Sequence, residues 1–370
     1  LKDLGPDFRQ KSAASGEDSA MYFTSDNASP AHPSVMEALA RANTGYTGSY
    51  GADPIMDEVR AMIRDAFEAP EAAVYLVSTG STANALSLAT FCPPWGAIYC
   101  HRNAHVEEDE CGAPEFYTGG AKLVLIDGAD AKMDPAKLRA SIAHTARAGV
   151  HNVQRGMLSI TNVTENGAVY SASEVAELAG IAKEYDLPVH LDGARFANAL
   201  VSSGATPAEM TWRAGVDVVS FGGTKNGLMG VEAVVIFDAA KAWEFELRRK
   251  RGGHLFSKHR YLSAQMQAYL TDDLWLKMAR DANARGGQLA QGLAAVSGAA
   301  LLHPNDANMV FASFPRGMHR KTQGAGAKYY FWPFDQSLDG PEDELLSARL
   351  VCSWSTSEED VAQFLAALAG

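Results

Sequence analysis

The chain has 370 residues, enough for two domains of ordinary size and a large buried core, with 47% hydrophobic and 21% charged residues. Its formal net charge of −12 argues against a nucleic-acid partner, which calls for a basic face. No apolar run approaches the ~20 residues that span a bilayer, and the N-terminus lacks the basic-then-apolar order of a secretory leader, so a soluble cytoplasmic protein with no membrane partner is expected.

Residues 1–20 are polar, mixed in charge and weakly periodic, and are expected to form a flexible tail outside the fold. A helix is expected near 36–43. From residue 72 onward seven short apolar runs recur, at 72–78, 97–101, 122–127, 157–162, 188–192, 217–222 and 232–237. Their β-branched content and near-continuous apolarity suit strands buried on both faces of a sheet. The clearest intervening helix starts at a cap at Ser171 or Ser173 and sets Val175, Leu178, Ala179 and Ala182 on one face, with Pro188 past its end. Strand, helix, strand is the unit of a mostly parallel sheet. The last two runs are separated only by TKNGLMG, too short for a crossover helix, and are predicted to pair antiparallel.

After about residue 240 the pattern changes to helices over 239–251 and roughly 259–297. Candidate strands follow at 308–314, 328–333 and 348–354, with a closing helix over 358–369. The expected fold class is α/β: a mostly parallel seven-stranded sheet with flanking helices over 21–255, plus a smaller α+β C-terminal domain over 256–370 that includes the connecting helix. The segment 21–45 is expected to return and pack on the small domain. Cys92, Cys100, Cys111 and Cys352 form no CxxC pair. Although Cys100 and Cys111 lie among His101, His105 and Glu107 to Glu110, no tetrahedral ligand spacing appears, so no metal is expected. Reduced thiols of a cytosolic protein are the expectation.

Three segments at strand ends carry chemistry. In STGSTANALSLA (78–89) a strand turns through Gly80 into a helix with Ser81, Thr82 and Asn84 in its first turn. Free backbone N–H groups there suit a phosphate, although the same residues also make an ordinary cap. In VHLDGARFANAL (189–200) Asp192 ends a buried strand and needs a partner. That partner is either Arg195 or a pyridinium nitrogen, which the carboxylate would keep protonated. In SFGGTKNGLMG (220–230) Lys225 lies in a glycine-rich turn, 225 − 192 = 33 positions after Asp192. Such a lysine is usually a surface charge; against a hydrophobic wall its amine loses its proton more easily, as an imine-forming nucleophile requires. The hydroxyls of Ser220 and Thr224 are candidates to help hold a phosphate.

With these pieces in this order, the chain resembles the low-specificity L-threonine aldolase family, β-eliminating-lyase-like members of the fold-type I pyridoxal-phosphate enzymes. The resemblance covers almost the whole chain after the tail. It includes SDN at 25–27, YGADP at 50–54, the STGSTANAL turn, His105 in AHV, HLDGAR at 190–195, FGGTKNG at 221–227 and ARLVCSW at 348–354. HxDGAR followed by GGTKNG is its specific part.

The resemblance implies pyridoxal 5'-phosphate as cofactor and a small amino-acid substrate. The implied reaction is retro-aldol cleavage of L-threonine, L-allo-threonine and related L-β-hydroxy-α-amino acids to glycine and an aldehyde. A β-eliminating lyase, racemase or aminotransferase is the alternative on the same scaffold. It further implies that Lys225 carries the cofactor as a Schiff base and Asp192 contacts its ring nitrogen. By the same resemblance His105 stacks on the ring, Gly80 and Ser81 hold the phosphate, with Thr224 from the lysine loop as a further cofactor contact, and Arg195 lies by the cofactor or substrate. Arg349, assisted by Ser25, would bind the substrate carboxylate, for which a planar fork is suited. His105, His151 or a bound water would take the β-hydroxyl proton. Tyr50 would come from a neighbouring subunit of a homodimer or homotetramer. Two departures from the family pattern appear. In RGGHLFSKHR (251–260) Lys258 or Arg260 stands where an arginine usually reaches a neighbour's phosphate, and in TNVTENG (161–167) Thr161 or Asn162 would sit beside the cofactor oxygen.

Overall fold

The computed structural model describes residues 20–370, so the predicted tail lies, but for its last residue, outside the described residues. Seven strands form the main sheet: β1 (Ala73–Val77), β2 (Gly96–His101), β3 (Lys122–Ile126), β4 (Gln154–Thr161), β5 (Val189–Gly193), β6 (Val218–Phe221) and β7 (Glu232–Ile236). Their order is β1-β7-β6-β5-β4-β2-β3. The strands from β6 to β3 are parallel neighbours, whereas β7 runs antiparallel to both β6 and β1. Every residue of β2, β5, β6 and β7 is buried, which is why these segments read as unbroken apolar runs.

This topology sets the site. β1 runs in the same direction as the parallel set, so Val77, His101, Thr161, Gly193 and Phe221 all end at one edge of the sheet, and β7 begins there with Glu232. Ligands of open α/β sheets bind outside the carboxyl ends of the strands.

The predicted helix over 259–297 is two helices, Arg260–Leu270 and Leu274–Ala295, separated by a turn in which Asp272 and Asp273 take φ of 52° and 55°. Short polar side chains accept that left-handed conformation more readily than apolar ones. The first helix is buried in the large core through Leu262, Met266 and Tyr269. The second, about 33 Å long at 1.5 Å per residue, places Trp275, Met278 and Ala279 in the large core and Leu289, Ala290 and Leu293 in the small one. The two cores therefore meet within this helix, not near residue 256.

The small core packs on a four-stranded antiparallel sheet of β8 (Ala300–Leu301), β9 (Met309–Pro315), β10 (Tyr330–Phe331) and β11 (Leu345–Val351), in the order β10-β11-β9-β8. The run at 328–333 contributes only two residues to it. Lys328 uses both backbone groups on residues 21 and 23, and Pro333 has no N–H to extend the ladder. Met21 and Phe23 are thereby buried in the small core. The helix Pro33–Ala42, expected to pack there too, instead buries Val35 and Ala38 in the large core against the helix Arg260–Leu270.

Candidate active site

At the carboxyl edge of the sheet a cavity of about 230 Å³ is lined by Asn27, Ser78, Thr79, Gly80, Ser81, Asn84, His105, Asp192, Ala194, Thr224, Lys225 and Glu232. β1 leads through Ser78 into the helix Gly80–Phe91, whose cap Thr79 accepts a hydrogen bond from Thr82 N at 3.2 Å. The N–H groups before Thr82 have no intrahelical acceptor. Nothing lies within 4 Å of where a Cβ on Gly80 would be, so a bulky anion has room against the backbone.

Asp192, buried near the end of β5, accepts a hydrogen bond on each oxygen, from Ala194 N and from Asn84 Nδ2, both at 3.0 Å. It does not pair with Arg195. The buried Arg195 guanidinium donates instead to both oxygens of buried Asp26, at 2.7 and 3.0 Å, and Asn308 donates to Asp26 as well. One of the two roles open to Asp192 in the sequence is thus removed, and a carboxylate with neutral donors only remains in the cavity wall.

Asn84 also donates to Glu110 Oε1 at 2.9 Å, and that same oxygen lies 2.9 Å from His105 Nδ1. Burial pushes the Glu110 carboxyl upward and Asp192 adds to this, against the hydrogen bonds from His105 and Asn84. For His105, burial acts to lower the pKa, but the hydrogen bond to Glu110 and the field of Asp192 prevail and raise it above 6.5. With Nδ1 donating to Glu110, Nε2 is the nitrogen left for a ligand.

Lys225 sits in a single turn, Thr224–Asn226, between β6 and β7. Close packing explains the glycines before it: a Cβ on Gly222 would lie 2.3 Å from Ala194 O, and one on Gly223 would lie 2.7 Å from Val231 O. The turn is anchored by Asn226, which donates to Tyr269 Oη and Trp275 O, and by Gly223 N, which donates to Glu232 Oε2 at 2.6 Å. Burial pushes the Glu232 carboxyl up to about 7. Ser220 does not face the cavity. It bonds His190 Nε2 at 3.0 Å, whose Nδ1 bonds Ser159, and burial brings this imidazole down to about 4, which leaves it neutral.

Other expected residues fall in two groups. Arg349 lies on β11 with its buried Nε unpartnered, and Ser25 caps the turn that carries Asp26 and Asn27. Thr161 has a buried, unpartnered hydroxyl beside Asp192 in the β4–β5 register, whereas Asn162 is held by Tyr170 backbone groups and is not free for a cofactor. His151 is exposed on a turn before β4, at the opposite edge of the sheet, so it is not a base for this cavity. Tyr50, Lys258 and Arg260 also stay out of the cavity. Tyr50 and Lys258 are exposed, Tyr50 N donates to Ser257 O, and Arg260 donates to the carbonyls of Thr44 and Gly45. The sequence offered Asn27 only within SDN, Asn84 only as a polar residue of a first helical turn and Glu110 only in an acidic run, with no site role for any of them, and it passed over Glu232, the one charge in VEAVVIF.

Residues 22–315 match the family described as Beta-eliminating lyase. The low specificity L-threonine aldolase of Pseudomonas aeruginosa is 38% identical over 344 residues, 93% of this chain and 96% of that protein. Its counterpart from another Pseudomonas is 36% identical over 349 residues, 94% and 97% of the two chains. Among solved structures, Leishmania major threonine aldolase superposes with a TM-score of 0.86 at 27% identity, over 94% of this chain and 98% of that one.

Proposed function

The chain belongs to the beta-eliminating lyase family, and from that premise we propose that it is a pyridoxal 5'-phosphate-dependent threonine aldolase, cleaving L-threonine, L-allo-threonine and related L-β-hydroxy-α-amino acids to glycine and an aldehyde. The carrying observation is that Lys225, Asp192, His105 and the open helix start at Gly80 line one cavity. These residues fit the cofactor: a primary amine for its carbonyl carbon, a buried carboxylate for its cationic ring nitrogen, and free N–H groups with space beside them for its phosphate.

When bound, pyridoxal phosphate supplies an electron sink for the bond broken beside the amino group. Lys225, whose amine lines the cavity, would hold the cofactor through its carbonyl carbon. Asp192 keeps a proton on the ring nitrogen. The N–H groups of Gly80 and Ser81, with the Thr224 hydroxyl, fix the phosphate. Arg349, with Ser25, would hold the α-carboxylate, and the buried, unpartnered Thr161 hydroxyl would be available to the cofactor's oxygen. Holding the carboxylate at a fixed point would orient the substrate and so select which bond at Cα breaks. His105 Nε2, directly or through water, takes the β-hydroxyl proton as the aldehyde leaves, and Cα regains a proton to give glycine. Arg195, held by both oxygens of Asp26, would act on cofactor or substrate only from that fixed position.

Purified protein reconstituted with the cofactor should release aldehyde from L-allo-threonine, L-threonine and L-phenylserine, read by coupling to an aldehyde reductase. No aldehyde from any of the three sinks the reading in favour of another reaction on this scaffold.

We also assign the chain to a cytoplasmic homo-oligomer, a dimer or tetramer. A hollow of about 700 Å³ lined by Met36, Leu39, Met229, Phe256 and Leu262 includes Ser78, which lines the active-site cavity too. Met36, Met229 and Phe256 are exposed in the single chain, an apolar face of the kind that subunits cover. The exposed Lys258 and Tyr50 would be supplied to the partner across it. Met229→Asp should shift the sedimenting species toward monomer and lower activity in parallel; an unchanged oligomer places the interface elsewhere. Cytoplasmic placement rests on Cys92, Cys100 and Cys352, buried and unpaired. Among the described residues no helix is long and apolar enough to cross a membrane.

A further inference from the structure

Arg349 is a half-buried cation, and among the described residues no carboxylate is paired to it. In the small sheet it lies opposite Phe311 on β9 and Tyr330 on β10. Its guanidinium carbon is 4.6 Å from the ring centre of Trp332 and 5.8 Å from that of Tyr330. The buried carboxylate in this neighbourhood, Asp26, is occupied by both arms of Arg195 and by Asn308. Arg195 and Asp26 therefore offset each other, and Arg349 makes no ion pair of its own with Glu165 or Asp109, whose fields reach it. Burial, reinforced by the nearby Arg195, holds the Arg349 pKa below its ordinary value against the fields of Glu165, Asp26 and Asp109.

A buried arginine is usually held by a carboxylate, which would occupy the same N–H donors that a substrate carboxylate needs. A ring face attracts the cation without accepting those hydrogen bonds. We propose that Trp332, with Tyr330 beside it, is a positioning residue that holds the Arg349 fork by its aromatic face and so leaves its donors free for the α-carboxylate of the substrate. The inference rests on the reading of Arg349 as the carboxylate-binding residue. The Trp332 main chain is fixed by its backbone N–H, which donates to Ser347 O at 3.0 Å, and its ring packs edge-on to Phe334 at 4.7 Å.

The test compares ligands that differ only in the carboxylate, using the holoenzyme. Glycine and glycinamide affinities are read from the change in cofactor absorbance on titration, and KM and kcat from aldehyde release from L-threonine. Trp332→Leu should raise the glycine Kd and the threonine KM about tenfold, with kcat within about twofold and the glycinamide affinity unchanged. Trp332→Phe, which keeps a ring face, should recover most of the loss. Tyr330→Leu, on a more exposed side chain, should give a smaller rise of about threefold and covers the case in which Trp332→Leu does not fold. Unchanged glycine affinity in both leucine variants, or an equal loss for glycinamide, overturns the proposal. Arg349→Leu separates the two levels. If it weakens glycine binding while Trp332→Leu and Tyr330→Leu do not, only the aromatic bracket is wrong. If Arg349→Leu also leaves glycine binding intact, the reading of Arg349 is wrong and the bracket falls with it.

Discussion

Lys225→Ala should lower aldehyde release by at least about 10³-fold and abolish the near-visible absorbance that the lysine adduct gives the holoenzyme. The loss is chemical in origin. The Lys225 turn is held by Asn226 on Tyr269 and Trp275 and by Gly223 on Glu232, none of which involves the lysine side chain. Melting temperature without cofactor should accordingly match the wild type. The phosphate turn at Gly80 and the carboxylate of Asp192 persist, so added cofactor should still bind reversibly, without the adduct absorbance. Full activity in Lys225→Ala would remove the amine from the reaction and with it the proposed mechanism.

Much of this arrangement could be read from the chain because its parts are local. The seven strands are apolar runs bounded by glycine and polar residues, and the short TKNGLMG link permits no crossover, so the antiparallel β6–β7 pair was legible. Lys225, Asp192 and Gly80 stand at strand ends within recognisable turns. Asn84 was not legible: it reads as one more polar residue in a first helical turn, and its significance lies in a contact with Asp192, 108 positions later. Asp26 likewise meets Arg195 across 169 positions, which turned a supposed Asp192–Arg195 pair into two separate features. Of the three alternatives for the base, His151 is the one that its place in the sequence already disfavours. It precedes the run of β4, and in a parallel sheet the residues before a strand lie at the edge away from the ligand. The double aspartate at 272–273 was also an available sign that the helix predicted over 259–297 is interrupted. Tyr50 and Lys258 belong to another category, since their proposed roles require a second copy of the chain.

Asp192→Asn separates the electrostatic from the shape contribution at the ring nitrogen. An asparagine keeps the volume but supplies one acceptor where Ala194 N and Asn84 Nδ2 now use two, so one buried hydrogen bond is lost at about 1–3 kcal/mol of stability. The adduct absorbance should remain, because Lys225 and the phosphate turn are intact. Aldehyde release should nevertheless fall about 10²–10³-fold, the usual consequence of removing a charge aimed at the reacting system. A second effect carries a sign. The field of Asp192 is one of the influences that hold the His105 pKa above 6.5. If neutral His105 accepts the β-hydroxyl proton, activity rises as pH climbs through that pKa. Removing the negative charge lowers it, so the acid limb of the kcat/KM profile should move to lower pH even as the rate at the plateau falls. Glu110→Gln should move the limb in the same direction, because Glu110 is hydrogen-bonded to Nδ1, while leaving the ring-nitrogen partner in place and the plateau rate closer to the wild type. An acid limb unmoved in both variants, measured against pH in one buffer series, would transfer the proton-accepting role from His105 to water or another group.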